Sequence, residues 1–460
     1  MSASDKTYIK HRITVNTNRC SSPSAYCREC WAGEREWEDK VMASNACDIF
    51  AHRAAAAKAQ DVYTDEEAER HAQEVGGLAP RPMETKNEID ERGAFVRQPN
   101  SFIVPFGEKE GEWKAEAGRY AIYWAHGCNW STRPIIARDI LGLQDVILDQ
   151  TTSHSGETNK YGHGFGHEPG HKDPLTGVYF LSQFYKNANP DYKGRATTPT
   201  LVDIREKKAV NNDYHRLTNY IEVQFRKFQP VDAPDLYPKA YRREIDQLND
   251  WLFPHVNNGH YRMAFCQTPF AYWSSYNDFY DSLDKLDQRL ETNRFLFGDY
   301  ITDSDIRLYV TLVRWDFGYY RSIGPTRKPI YDYKNLWGYL RELYWEPSFH
   351  KTQFVNELAA GNQSANADRD LFVDWNQRIA SKINLDEFFA YDGWRKKLSN
   401  HPDEIYLRHP AGESPEDYQS EISFSPWNRP DQKDREADDP ANSPLDVDAS
   451  INPLKGKIDA

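Results

Sequence analysis

Residues 118–133, Gly-Arg-Tyr-Ala-Ile-Tyr-Trp-Ala-His-Gly-Cys-Asn-Trp-Ser-Thr-Arg, constrain the fold more than any other stretch. Arg119 to Trp124 alternates as a strand does, and a short turn follows. Ile135, Ile136, Ile140 and Leu141 then take up helical spacing. Cys128 therefore stands at the mouth of a helix. Free backbone amides and a partial positive charge there stabilise a thiolate, the nucleophilic form of cysteine. The competing reading is a small apolar residue in a core, and the motif alone leaves both open.

A chain of 460 residues is long enough for two or three domains. Only 39% of it is hydrophobic, but 28 Tyr and 13 Trp let few residues build a core, and they predict aromatic pockets. A formal charge of −13, with no Lys/Arg block, excludes nucleic acid as the main partner. No apolar run reaches the length of a membrane span, and Met1 to Arg19 lacks the apolar core of a signal peptide. Six cysteines are too few for a disulfide scaffold. The expectation is a soluble protein of the reducing cytoplasm, with no membrane partner.

Residues 1–115 read as an N-terminal extension, with an Ala-rich then charged helix over 51–75 and a polar connector over 76–97. Residues 116–228 read as an α/β unit: strand 119–124, helix 131–141, strand 145–149, a helical stretch at 178–187, strand 198–204, a short strand at 209–210 and helix 213–227. That order is thioredoxin-like. Residues 237–360 read as all-helical, with Ile245, Leu248, Trp251 and Leu252 on one face and Leu283, Leu286 and Leu290 on another. Thr302-Asp303-Ser304-Asp305 has the form of a capping box, a structural device. Residues 361–460 form a second extension. After about Ser425 its Pro, Asp and charged content predicts a disordered tail.

Three further signals stand outside these units. Thr198-Pro199 heads a strand; in a thioredoxin-like unit that proline is commonly cis, which frees the preceding backbone to pair with a bound peptide. Cys27, Cys30, Cys47 and His52 have a spacing feasible for structural zinc, but ordinary reduced thiols are the preferred reading. His154, His163, His167 and His171 lie in a Gly-rich loop and are read as solvated.

Several stretches between Gly118 and Phe354 resemble the glutathionyl-hydroquinone reductases, the Xi class of the glutathione transferases. They are Gly-Cys-Asn-Trp-Ser-Thr-Arg (127–133), Tyr-Lys-Gly-Arg-Ala-Thr-Thr-Pro-Thr-Leu (192–201), Asp-Trp-Leu-Phe-Pro-His-Val-Asn-Asn-Gly-His-Tyr (250–261), and the runs 298–316 and 332–344. The resemblance implies a thioredoxin-like domain followed by an all-α glutathione-transferase-type domain, and a homodimer. It also implies glutathione as co-substrate and a quinone-derived aromatic substrate. Cys128 maps onto the nucleophile that takes the glutathionyl group from the aromatic conjugate, and a second glutathione resolves the mixed disulfide. Trp130 would wall the thiol pocket, and Arg133, in the same motif, would be among the residues that contact the glutathione. The backbone of Thr198, before Pro199, would bind the cysteinyl part. Asp213 and Tyr214 would meet the γ-glutamyl end. Tyr261 and Tyr319 match the tyrosines on the hydroquinone side, and no metal belongs to the site.

The chain departs from the family where Asp213-Tyr214 replaces Glu-Ser, so a diverged enzyme that acts on another aromatic or quinone-derived substrate with a different low-molecular-weight thiol is an alternative. Asn129 stands where proline is usual, and Pro134 falls in the early helix. Ser131 excludes a CxxC pair, which favours one cysteine and an external thiol. A silent binding or scaffold protein on the same fold is the remaining alternative.

Overall fold

The computed structural model of the protein describes residues 65–76, 88–152, 161–316, 319, 327–352, 385–415, 422–423 and 425–428. Cys27, Cys30, Cys47, His52 and His154 lie outside them, as does the whole stretch after 428. Of the helix expected over 51–75, the described part is α1 (Asp65–Glu74), which buries Ala68 and Ala72 against Tyr161, Tyr179 and Phe180.

The centre of the α/β unit is a four-stranded sheet in the order β2-β1-β3-β4. Its strands are β1 (Tyr120–Trp124), β2 (Ile147–Thr151), β3 (Thr200–Asp203) and β4 (Lys208–Asn211). β1 pairs parallel with β2 and antiparallel with β3, and β3 pairs antiparallel with β4. Alternation along β1 feeds two layers. Tyr120, Ile122 and Trp124 enter the main core beneath α2 (Asn129–Ile140) and α4 (Leu217–Gln224). Ala121 and Tyr123 face α3 (Leu181–Ala188), against Phe184 and Tyr185. A strand buried on both faces fits a sheet covered by helices on each side. The thioredoxin-like order holds.

The element ends differ from the sequence reading where side chains intervene. The helix expected from 213 starts at Leu217: Asp213 acts as a cap, its carboxylate accepting from the His215 amide and its carbonyl from that of Leu217, and residues 214–216 make a turn before the regular helix. β2 starts two residues late because the amides of Val146 and Ile147 are both spent on the Leu143 carbonyl.

The helical unit holds α5 (Arg242–Leu252), α6 (Gly259–Phe265), α7 (Pro269–Arg289), α8 (Asp303–Leu312) and α9 (Lys334–Tyr344). A π-helical turn, Phe253–Asn257, joins α5 to α6. The capping box at the head of α8 is formed: the Asp305 carboxylate accepts from the Thr302 amide at 2.8 Å. α2 packs on the sheet and α4 on one side and on α8 on the other. The helix that carries Cys128 is therefore the seam between the α/β and helical units.

Two segments outside these units close over the seam. Residues 88–115, read from sequence within an extension, dock on the sheet: the Asn212 carboxamide accepts the amides of Ser101 and Phe102 at 3.2 and 2.9 Å. The expectation of a disordered tail from about Ser425 meets a packed Ser425–Asn428, in which Ser425, Trp427 and Asn428 are buried. A polar composition misleads here because the segment satisfies its polar groups on buried residues of the body.

Candidate active site

Cys128 is the N-cap residue of α2, in extended backbone (φ −96°, ψ 104°), and its side chain makes no cap bond. The thiol is half-buried, with Sγ 3.6 Å from the Thr198 carbonyl oxygen. The first turn of α2 carries no acidic residue to oppose a thiolate. Ser131, at the position a second cysteine would take, instead braces the turn by donating to the carbonyls of Ala125 and Cys128.

The Thr198–Pro199 peptide is cis. The Tyr185 hydroxyl holds this loop, 3.0 Å from the Thr197 carbonyl and 2.6 Å from Thr200 Oγ1. The loop thus presents the Thr198 backbone to Cys128.

Cys128 and Tyr261 pack against a buried cluster of Trp130, Tyr214, Phe253 and Trp427. Trp130 packs on Tyr214 at 4.3 Å between centroids and meets Tyr261 edge-on at 5.1 Å. Its buried indole Nε1 has no hydrogen-bond partner among the described residues, and neither does the Tyr214 hydroxyl. Tyr261 and Tyr319 bring their hydroxyls to 3.1 Å. Desolvation pushes the Tyr261 phenol up to about 12 and the Tyr319 phenol well above its ordinary range, and a charged Cys128 adds to both. Both phenols are therefore protonated donors at neutral pH, suited to an aromatic oxygen.

Arg97 was not foreseen. Its guanidinium lies 4.2 Å from the Trp130 ring centroid and 4.6 Å from that of Tyr261, and its Nε donates to Asn258 Oδ1 at 3.1 Å. It brings a cation to the ring cluster from a polar connector with no periodicity to betray it.

Arg133 is placed differently from its motif neighbours. It is fully buried beneath Tyr214, with its guanidinium 4.3 Å from that ring and donating to the Tyr214 carbonyl. It therefore braces the pocket wall. Asp213 is buried too, and its Oδ1 accepts from the His215 amide at 2.9 Å and from Asn428 Nδ2 at 2.7 Å. His163 and His167 go to Thr152 and Thr151, and the ring of His171 to that of His71. Among the described residues no group of three His, Cys, Asp or Glu could hold a metal ion, and no helix is long and apolar enough to cross a membrane.

His260 stacks 4.0 Å from Tyr319, and burial with the Arg97 charge pushes its imidazole down to about 3. The folded chain thus keeps it neutral while the unfolded chain protonates it below 6.5. Its share of stability is full above that value and is lost as pH falls. Between pH 7 and pH 5 the loss is about 2 kcal/mol. His260→Gln should flatten the fall of the unfolding free energy, read by urea titration, by that amount, and a variant as acid-sensitive as the wild type would refute it.

A model of the glutathione S-transferase C-terminal domain matches residues 272–342. The glutathionyl-hydroquinone reductase PcpF of Sphingobium chlorophenolicum is 34% identical over 248 residues, covering 53% of this chain and 76% of that protein. The crystal structure of the glutathione S-transferase Xi from Phanerochaete chrysosporium superposes with a TM-score of 0.55 at 33% identity, over 60% of this chain and 91% of that one. The chain belongs to the Xi class of glutathione transferases. A glutathione-bound structure of the homologue YqjG from Escherichia coli K-12 is similar at a TM-score of 0.53 and 30% identity, over 58% of this chain and 90% of that one. These alignments leave from two fifths to nearly half of this Xi-class chain unmatched.

Proposed function

We propose that this Xi-class enzyme is a glutathione-dependent reductase that removes the glutathionyl group from glutathionyl-hydroquinones. The observation that carries the reading is Cys128 at a helix N-terminus, facing the Thr198 carbonyl and enclosed by rings and two protonated phenols. The names of its relatives support it: PcpF is a glutathionyl-hydroquinone reductase, and YqjG was crystallised with glutathione. In this reading 116–228 is the thiol-binding unit and 237–360 the helical unit of a cytoplasmic homodimer.

The Cys128 thiolate attacks the sulfur of the conjugate. A Cys128–glutathione disulfide forms and the carbon–sulfur bond breaks, its electron pair going to the ring carbon, which takes a proton to give hydroquinone. Donors at Tyr261 and Tyr319 hold the ring oxygen while charge moves onto the ring. A second glutathione thiolate attacks the mixed disulfide, leaving glutathione disulfide and free Cys128. The net change is conjugate plus glutathione to hydroquinone plus glutathione disulfide.

The test is hydroquinone release from a glutathionyl-hydroquinone with added glutathione. Catalytic release supports the reading. No release, with Cys128 still readily alkylated, would overturn the substrate and favour a different thiol or aromatic conjugate. Tyr214, a large ring where the family has serine, is the observation that favours that second reading.

A further inference from the structure

Asp213 is the carboxylate that the family resemblance sets against the γ-glutamyl end of glutathione, and the structure does not leave it to its own loop. Its Oδ1 accepts from Asn428 Nδ2 at 2.7 Å, across 215 positions of sequence. Asn428 Oδ1 in turn accepts from Asn100 Nδ2 at 2.9 Å. A relay thus runs from the segment before β1, through the C-terminal extension, to Asp213.

The extension is clamped where it does this. Arg216 donates through Nε to the Ser423 carbonyl at 2.9 Å, and Ser425 Oγ reaches Asp250 Oδ1 at 3.3 Å. Trp427 donates its indole Nε1–H to the Asp250 carbonyl at 3.0 Å and lays its ring 5.7 Å from Phe253, in the cluster with Trp130 and Tyr214. One short segment therefore touches both the aromatic wall beside Cys128 and the carboxylate behind it.

We propose that Asn428 is a positioning residue for thiol recognition, holding the Asp213 carboxyl oriented to receive the ammonium of a γ-glutamyl thiol. The inference rests on the proposed use of such a thiol and adds a segment of the C-terminal extension to the site.

Electrostatics agree with the geometry. Burial pushes the Asp213 carboxyl up from its ordinary range, and the Asn428 contact is the largest of those that pull it back. The charged and titratable groups that face it are the Arg216 and Arg133 guanidiniums and the Tyr220 phenol. The neighbouring His215 contributes its backbone amide, and its ring packs on Phe253. Removing the Asn428 amide leaves the carboxylate with less support and raises the pH below which it is neutral. A neutral acid no longer pairs with an ammonium.

The experiment follows alkylation of the Cys128 peptide in the full chain by iodoacetamide, with S-methylglutathione as protecting probe. That probe keeps the γ-glutamyl end and cannot itself be alkylated. S-methylcysteine, which lacks that end, is the control. Asn428→Ala should need about tenfold more S-methylglutathione for half-protection at pH 7. The gap should widen toward pH 6, with S-methylcysteine unchanged. A purely structural role would shift both probes alike and show no pH trend, which overturns the inference. An unchanged requirement overturns it as well. A lower requirement also does so, since Asn428 would then compete with the thiol for Asp213. Absence of protection in the wild type overturns the glutathione reading and this inference together. Should Asn428→Ala fail to fold, Asn100→Ala removes the outer link of the relay, together with a long direct contact of Asn100 Nδ2 to Asp213 Oδ1 at 3.5 Å, and should shift the same readout in the same direction by less.

Discussion

Cys128→Ser is expected to lower hydroquinone release by at least about a thousandfold, the loss typical when the covalent nucleophile of an enzyme is removed. The substitution conserves size, and the residue is half-buried at a helix cap with no cap bond of its own, so folding has no reason to change. What it removes is the chemistry. A serine hydroxyl is not ionised at neutral pH, and oxygen cannot form the disulfide that carries the glutathionyl group between the two half-reactions. Mass analysis of the wild type quenched during turnover should find one added glutathionyl group on the Cys128 peptide and none on the variant. Cys266 is the internal control. It is half-buried, burial pushes its thiol up, and Sγ sits 3.2 Å from the Met263 carbonyl. Cys266→Ser should leave turnover intact. Full turnover in Cys128→Ser would move the chemistry to another group and remove the basis of the proposed mechanism.

The part of this site that could be read in the sequence is the part built locally. β1, the turn and α2 are contiguous, so strand alternation followed by helical spacing put Cys128 at a helix mouth before any contact was known. Thr198-Pro199 was legible for the same reason, as a proline at the head of a strand. Tyr261 and Tyr319 were reachable only through the family motifs, because nothing distinguishes two tyrosines among 28 by pattern. Arg133 shows the limit of motif reading: membership put it with the ligand contacts, while the Tyr214 carbonyl draws its guanidinium into the core. Arg97, Asn100, Trp427 and Asn428 carried no signal at all. Arg97 reaches Asn258 across 161 positions and Asn100 reaches Asn428 across 328, and both come from polar segments without period. Composition averages over such segments, so a few buried anchors vanish in it. Ser425–Asn428 reads as tail by content and is wall by contact.

The largest expected effect on stability lies one layer beneath the site. Asp303 and Arg307 open α8 as an i, i+4 ion pair at 2.7 Å, and both side chains are fully buried. Asp303 Oδ2 also accepts from Asn249 Nδ2 at 2.8 Å, and Arg307 Nη2 donates to the His215 carbonyl at 2.6 Å. The pair thus ties the helical unit to the turn that carries Asp213 and Tyr214. Asp303→Ala strands the Arg307 cation in the core, where Arg133 already suffers its charge: burial first, then Arg307, push the Arg133 guanidinium down to about 10. Breaking such a pair on one side costs about 3–5 kcal/mol, most of it the penalty of an uncompensated buried charge. Replacing both partners by apolar residues of similar volume, Asp303→Leu with Arg307→Met, removes that penalty and should recover much of the loss. A urea titration of the three chains decides between the two origins. If the double variant is as unstable as Asp303→Ala, the cost lies in the hydrogen bonds to Asn249 and His215. If it recovers, the pair orients the His215 turn more than it stabilises the fold, and the double variant should then fold well while binding γ-glutamyl thiols more weakly than the wild type.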